Sequence, residues 1–239
     1  MKYQRKLSFS KQGKDFVKEK EKELIIYKEP IKALKKLIHK KKKKVKIKIL
    51  DLGCGYGRIS KVLKKFGNVV GLDISYQGLK LAKKLKIPLV LGDGEILPFR
   101  SKSFDVVVCA EAIPYTDNPY NMLREIKRVL VNNGLLFLSV ENLYGGLISD
   151  PFIKASEIED IIRRGESKKA KYFRKEEILS TLEKMGFKVI YFRPVGFVRA
   201  GFLSKYKFRN VEKLERLCAK YVPLLARAFV IIAVAPSHQ

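Results

Sequence analysis

The chain has few histidines and cysteines. Of its 239 residues only two are histidine: His39 beside a lysine run, and His238 one residue from the end. We expect both to lie in solvent, so a histidine general base is not expected. The three cysteines, Cys54, Cys109 and Cys218, are far apart and form no Cys-x-x-Cys pair. They indicate reduced thiols of an intracellular protein and exclude a disulfide framework.

Long apolar runs are also missing. The first residues carry charge but no apolar segment of a signal peptide. The most apolar stretch, residues 221–235, contains Pro223 and Arg227 and is shorter than the roughly 20 residues that span a bilayer. We therefore expect a cytoplasmic protein without a transmembrane segment. We predict a basic N-terminal arm and helix over residues 1–44 and one globular domain over residues 45–239.

Acidic residues are scarce, at 24 against 51 basic ones, which gives a formal net charge of +27. Residues 1–48 hold 19 basic and 5 acidic residues, residues 49–162 hold 14 and 13, and residues 163–220 hold 17 and 6. A heat-adapted composition would raise lysine and glutamate together, which is not the case here. The excess of basic residues in the two flanks, residues 1–48 and 163–220, is explained equally well by a polyanionic partner and by a chance of composition. For the lysine run 40–44, a solvated loop is favoured over a nucleic-acid contact.

A glycine-rich loop follows the first predicted strand. Residues 49–60 read ILDLGCGYGRIS, with Gly53, Gly55 and Gly57 alternating. Glycine allows positive φ angles and a close approach of the backbone to a ligand, and the N–H groups of the next helix face that ligand. The dinucleotide fingerprint would need glycine at position 58, which is Arg58. The spacing therefore favours another nucleoside ligand.

Acidic residues follow the next predicted strands. Asp73 ends the run VVGLD, twenty residues after Gly53, where a carboxylate can accept both ribose hydroxyls. The strand 88–91 leads into Gly92-Asp93-Gly94-Glu95, and the strand 104–110 leads into Glu111. Because ligands of open α/β sheets bind at the carboxyl edge of the strands, we expect these groups to share one site.

Together these segments resemble the class I S-adenosylmethionine-dependent methyltransferases, and within them the ubiquinone and menaquinone biosynthesis group. The motifs are LDLGCGYG, GLDIS, GDGEILPF with SFDVVV, and LREIKRVLVNNGLLFLSVEN. The resemblance implies an α/β, Rossmann-like sheet of seven mostly parallel strands, with helices on both faces and an antiparallel last strand. It also implies S-adenosyl-L-methionine as cofactor.

The same resemblance assigns cofactor-binding positions around the methionine and ribose, the ribose hydroxyls, the adenine and the methionyl end. Asp51, Gly53, Cys54, Gly55 and Gly57 would surround the methionine and ribose, and Asp73, with Ile74 beside it, would bind the ribose hydroxyls. Asp93, Gly94 and Glu95 would bind the adenine, and Ala110 and Glu111 would lie beside the methionyl end. Many relatives continue Glu-x-x-Glu-His after strand four, where some bind a metal. Here the stretch reads Glu111-Ala-Ile-Pro-Tyr115, so we predict no metal and a quinone or catechol acceptor is less favoured.

Methyl transfer from a sulfonium needs alignment more than a nucleophile. If the acceptor must lose a proton, the candidate bases are Glu111, Tyr115 and Asp117. The sequence favours a small-molecule acceptor. A tRNA or rRNA methyltransferase that uses the basic flanks, and a non-catalytic cofactor-binding protein, remain alternatives, and the oligomeric state is left open.

Two segments, 142–170 and 193–228, are predicted to be cap or insertion segments over the acceptor. The second interleaves aromatic residues with cations, a pattern that suits nucleic acid, an anionic membrane surface or an ordinary capping insertion. Helical spacing in that segment predicts a core-facing stripe, made of Leu214, Leu217, Cys218, Tyr221 and Leu225.

Overall fold

The computed structural model describes residues 26–41, 46–149, 155–166, 170–197 and 211–237. Of the predicted N-terminal arm and helix, residues 1–25 and 42–44 lie outside these ranges, as do His238 and the aromatic stretch 198–210. The domain boundary predicted between residues 44 and 45 also falls there, and it stays a prediction.

Seven strands form one mixed sheet in the order β3-β2-β1-β4-β5-β7-β6. The strands are β1 Lys48–Leu52, β2 Asn68–Asp73, β3 Leu89–Leu91, β4 Phe104–Ala110, β5 Leu130–Glu141, β6 Lys188–Val195 and β7 Ala228–Val234. The first five are parallel, whereas β7 runs antiparallel between β5 and β6. The predicted fold is confirmed, including the late antiparallel pair.

Helices connect and flank the strands. They are α1 Lys28–Lys41, α2 Ser60–Leu63, α3 Tyr76–Ala82, α4 Pro119–Val129, α5 Leu143–Ser149, α6 Ala155–Arg164, α7 Lys175–Lys184 and α8 Val211–Tyr221. Their starts follow local chemistry: Ser75 accepts the Gly78 N–H ahead of α3, and Asn118 accepts two N–H groups ahead of α4, where Pro119 has no N–H that would need an acceptor. Within the described residues, no helix has the length and apolarity needed to cross a bilayer.

Apolar side chains fill both faces of the sheet, because successive strand residues point to opposite sides. Along β5, Leu136 and Leu138 join one buried cluster while Leu135 and Phe137 join the other. Helix α1 belongs to the second cluster, with Leu34 and Ile38 buried. Residues ahead of the first strand thus share the core with the sheet.

The predicted core-facing stripe of α8 is wrong. Leu217, Tyr221 and Leu225 are 46%, 68% and 48% exposed, Leu214 lies at the surface too, and Cys218 is only partly buried. The side of α8 that faces inward carries Glu215, whose Oε2 accepts the Gly196 N–H at 3.1 Å. Helical spacing shows which residues share a face, and it does not show which face the fold covers.

Candidate active site

A pocket opens at the carboxyl edge of the sheet, where β1, β2, β3 and β4 end. Its lining residues come from the last residues of β1 and β2, from the loops after these strands and from α4: Leu52, Gly53, Gly55, Leu72, Asp73, Ile74, Ser75, Gly92, Asp93, Gly94, Glu95, Glu111, Ala112, Tyr115, Thr116 and Met122. Eight of the twelve predicted cofactor-binding residues belong to this lining, namely Gly53, Gly55, Asp73, Ile74, Asp93, Gly94, Glu95 and Glu111. The other four lie behind it.

The glycine loop approaches the pocket at Gly55. Its φ is +51°, and a Cβ added there would meet no atom within 4 Å, so the space in front of this α-carbon is open. Gly53 has φ +74° but packs directly against Ala112. The loop is tied to the next strand by the N–H groups of Gly53 and Cys54, which both donate to the Leu72 carbonyl. Gly55 is therefore where a bound group can lie against the loop.

Asp73 ends β2 and anchors the loop. Its Oδ2 accepts the Gly55 N–H and its Oδ1 accepts the Ser75 N–H, each at 2.7 Å. Burial raises the pKa of this carboxyl, and the backbone donors act in the opposite direction. The two carboxylate oxygens together have about four lone pairs, so the carboxyl can accept a ligand hydroxyl beside these backbone donors. Asp73 can thus shape the loop and bind a ribose at once.

Asp51 and three other predicted residues do not line the pocket. Asp51 is buried behind the loop, its Oδ2 accepts the Ser60 hydroxyl at 2.5 Å, and burial raises its pKa to about 6. The α-carbon of Gly57 packs against Leu85 rather than a ligand space. Cys54 and Ala110 are buried too, and burial raises the pKa of the Cys54 thiol. These positions support the loop from behind.

The loop after β3 forms the wall of the pocket opposite the glycine loop. The Asp93 Oδ1 accepts the Glu95 N–H at 3.0 Å, and the Glu95 Oε1 accepts the Asp117 N–H at 2.9 Å. Gly94 packs directly against Met122 of α4. The Glu95 side chain therefore links the third and fourth strand loops across the pocket.

Glu111 lies where the pocket meets a buried polar cluster. It is a non-glycine residue with φ +58°, so its backbone is held in the left-handed region. Its Oε1 accepts the Tyr27 hydroxyl at 2.7 Å and the Arg227 Nη2 at 3.2 Å, and its Oε2 accepts the Arg58 Nη2 at 3.1 Å. The Tyr27 hydroxyl also lies 2.9 Å from the Ser139 Oγ. We call these five residues the Glu111 cluster.

The cluster holds the Glu111 carboxyl group in one orientation. Two guanidinium groups favour the carboxylate form, and the Arg58 guanidinium also lies 5.7 Å from the centre of the Tyr27 ring. Burial, followed by the Glu111 charge, raises the pKa of Tyr27 well above its usual value. Tyr27 therefore stays a proton donor to the carboxylate.

The remaining candidate bases differ in placement. Tyr115 lines the pocket, and burial together with the charges of Glu141 and Glu111 raises its pKa, so it stays protonated at neutral pH. Asp117 is exposed and lies outside the lining. The assignment of a general base among Glu111, Tyr115 and Asp117 stays a prediction.

Sequence reasoning missed most of the Glu111 cluster. Tyr27, Ser139 and Arg227 lie 84, 28 and 116 positions from Glu111, outside any local motif. Arg58 directly follows the glycine loop, and this position was the only signal in the sequence that could have indicated a member of the cluster. Across the described ranges, no group of three or more His, Cys, Asp or Glu side chains is arranged to hold a metal. The prediction of no metal stays a prediction.

The pocket fits a cofactor that carries a nucleoside. Apolar side chains such as Leu72, Ile74 and Met122 can cover a planar base, and the carboxylates of Asp73 and Asp93 stand at successive strand ends. The open space before Gly55 admits a bound group at the loop itself.

Comparisons with known proteins agree with this fit. The profile of a family described as "Methyltransferase domain" matches residues 50–138. An uncharacterized protein of Methanocaldococcus jannaschii is 30% identical over 182 residues, which are 76% of this chain and 82% of that one. A ubiquinone biosynthesis O-methyltransferase of Coxiella burnetii is 27% identical over 149 residues, 59% of this chain and 64% of that one.

A solved structure shares the fold. It is a protein in complex with the Haloferax volcanii Trm112 methyltransferase activator, with a TM-score of 0.59 and 20% identity over 85% of this chain and 88% of that chain.

Proposed function

The chain belongs to the class I S-adenosylmethionine-dependent methyltransferases, and from this premise we propose that it methylates a small molecule held at the carboxyl ends of β4 and β5. Its cofactor is S-adenosyl-L-methionine, which supplies a methyl group on an activated sulfonium for in-line displacement. The acceptor and the site residues are the proposal.

On the cofactor side, the backbone and carboxylates do the binding. Asp73 would accept the ribose hydroxyls with the lone pairs that the Gly55 and Ser75 N–H groups leave unused. Asp93, with the Gly94 and Glu95 backbone, would hold the adenine edge. Gly55 would lie against the cofactor, since the space before its α-carbon is open. Asp51 would act from behind by fixing Ser60 at the start of α2.

On the acceptor side, a cover over the loop after β4 supports a small molecule. Tyr115 lines the pocket and also packs against a small buried cluster made of Leu143, Ile161, Ala170 and Tyr172. The Lys171 N–H donates to the Pro114 carbonyl, and the Lys171 ammonium donates to the Asp117 carbonyl. Such a cover over the acceptor end excludes water and leaves less room for a polynucleotide than an open cleft. This is the observation that carries the proposal.

Glu111 is proposed to orient the acceptor or the methionyl end, and not to remove a proton. A carboxylate that already accepts hydrogen bonds from Tyr27, Arg58 and Arg227 is a weak base, because each donor stabilises its charge. This arrangement suits an acceptor whose nucleophile needs no strong base, such as an unprotonated amine or a carboxylate.

Nucleic acid is the second candidate acceptor, and helix α1 is the observation that favours it. This helix buries Leu34 and Ile38 and exposes a row of cations that could neutralise phosphates, namely Lys28, Lys32, Lys35, Lys36 and Lys40.

Transfer of a methyl label distinguishes the two acceptors. The protein is incubated with methyl-labelled cofactor and either total RNA or an RNA-free small-molecule and lipid extract, and label is counted in each fraction. We expect label in the extract and none in RNA, with Gly55→Val as the inactive control. Label that enters RNA alone would contradict the small-molecule proposal and support the second candidate.

A further inference from the structure

An exposed apolar surface lies on α8 and the turn that follows it. Its members are Leu214, Leu217, Tyr221, Val222, Leu224 and Leu225, which we call the α8 face. Tyr221 is 68% and Leu224 is 60% exposed. Single exposed apolar residues are common, but a run of six along one helix and its turn is typical of an interaction site.

Cations accompany these apolar side chains. Lys213, Arg216 and Lys220 of α8 are all exposed, and the Lys220 Nζ lies 5.0 Å from the centre of the Tyr221 ring. Glu215, in contrast, is buried and accepts the Gly196 N–H. The outward side of the helix thus combines apolar and basic residues while an acidic residue points inward.

The α8 face adjoins the acceptor end of the pocket. The Asn142 Nδ2 donates to the carbonyls of Leu224 and Ala226, at 2.9 and 2.7 Å, and Asn142 directly follows β5. Arg227, one residue further along, contacts Glu111. Gly145 of α5 packs against the Ala226 carbonyl, which holds the turn against the cover.

We propose that the α8 face docks on the surface of an anionic lipid bilayer. A bilayer accepts leucine and tyrosine side chains into its interface while its anionic headgroups attract lysine and arginine. A second copy of the chain would bring Lys213, Arg216 and Lys220 against the same cations. A nucleic acid would attract those cations but would leave the leucines in water. The bilayer is the occupant that matches both features.

Vesicle binding tests this docking, and it does not depend on methyl transfer. The full chain is sedimented with vesicles of phosphatidylcholine alone or with about 30% phosphatidylglycerol. Three variants accompany the parent: Leu224→Ser/Leu225→Ser, Leu225→Ser, and the control Leu81→Ser on α3. Leu81 is 49% exposed and Leu225 is 48%, so these two changes remove similar exposed area from different faces. Thermal melts confirm that each variant is folded.

We expect the parent to bind the anionic vesicles and to lose binding at high salt. The double variant should bind them about tenfold less tightly, Leu225→Ser should be intermediate, and Leu81→Ser should match the parent. Equal binding by the parent and the double variant would overturn the proposal, since cations alone would then explain the attraction.

Two further results would also overturn it. One is a parent that sediments as a dimer and becomes a monomer in the double variant, which would assign the face to a second copy. The other is bulk tRNA binding that falls in the double variant as far as vesicle binding does, which would assign the face to nucleic acid.

Discussion

The two ends of the pocket are built in different ways. At the end that we propose binds the cofactor, each contributing group lies in a short motif at the end of its own strand: Gly55 after β1, Asp73 at β2 and Asp93 after β3. At the end that we propose binds the acceptor, Glu111 is held by Tyr27 from an N-terminal turn, by Arg58 directly after the glycine loop and by Arg227 directly before β7. Local sequence therefore specifies the first end, whereas tertiary contacts assemble the second. Substitutions at each end should accordingly have separable effects.

The largest effect is expected at the glycine loop. Gly55→Val puts a branched side chain at φ +51° into the open space of the pocket, so cofactor binding should weaken by about 4 kcal/mol or more. Calorimetric titration with S-adenosylmethionine measures this. Gly186→Val is the matched control: Gly186 has φ +82° and faces Pro236, away from the pocket, so it should cost stability and leave the affinity intact. If the folded Gly55→Val variant bound the cofactor normally, the cofactor site would have to lie elsewhere.

Asp73→Ala should come next. It removes the acceptor for the Gly55 and Ser75 N–H groups and the expected ribose contacts, so affinity for S-adenosylmethionine should fall by about 1.5 to 3 kcal/mol. The melting temperature should fall as well, because the loop loses its anchor. Asp105→Ala removes an acceptor of the Lys48 N–H far from the pocket and serves as the control. NAD should not compete, and unchanged affinity in Asp73→Ala would refute the assignment.

Asp51 gives a prediction for pH rather than for binding. Burial raises its pKa to about 6 in the folded state, whereas the unfolded chain loses this proton near its ordinary value of 3.8. Between these values the folded state binds the extra proton, so this group makes stability fall as pH rises from about 4 to 6.

The variant Asp51→Asn isolates that contribution. Its amide oxygen can still accept the Ser60 hydroxyl, and it carries no titrating proton. Urea unfolding at a series of pH values should show the parent losing roughly 2 to 3 kcal/mol relative to the variant across that window. Parallel pH profiles of the two proteins would mean that Asp51 is not the buried titrating group.

Tyr27→Phe should have the smallest effect and should separate the two ends most clearly. It removes the hydroxyl between Glu111 and Ser139, so unfolding should be easier by about 1 to 2 kcal/mol, seen as a melting temperature lower by a few degrees. S-adenosylmethionine affinity should stay within about twofold of the parent. Tyr120→Phe, at an exposed site, is the control. A large loss of cofactor affinity would show that the two ends are coupled.

Sequence patterns predict well the features that a strand and the loop directly after it determine together. The strands around the glycine loop are confirmed, because hydrophobic periodicity and glycine spacing act over a few residues. The antiparallel end of the sheet, which the resemblance to the methyltransferases implied, is confirmed as well. Asp73 and Asp93 reach the same pocket because parallel strands end at one edge. Tyr27 could not be found this way, since nothing near residue 27 indicates its distant partner. The prediction that the α8 stripe faces the core was wrong for a related reason. The sequence shows the helical spacing of these residues, but it does not show whether another layer of the fold covers them.

Strand β7 has a consequence for synthesis. It lies between β5 and β6 although it is made after both, and Arg227 immediately precedes it. Until the ribosome has released Arg227 and the β7 residues, both neighbouring strands lack their common partner and Glu111 lacks one guanidinium. A nascent chain can therefore form the cofactor end early, while the acceptor end waits for the final strand. Termination of the chain before residue 227 would leave a protein with a glycine loop, without β7 and without the Arg227 contact to Glu111.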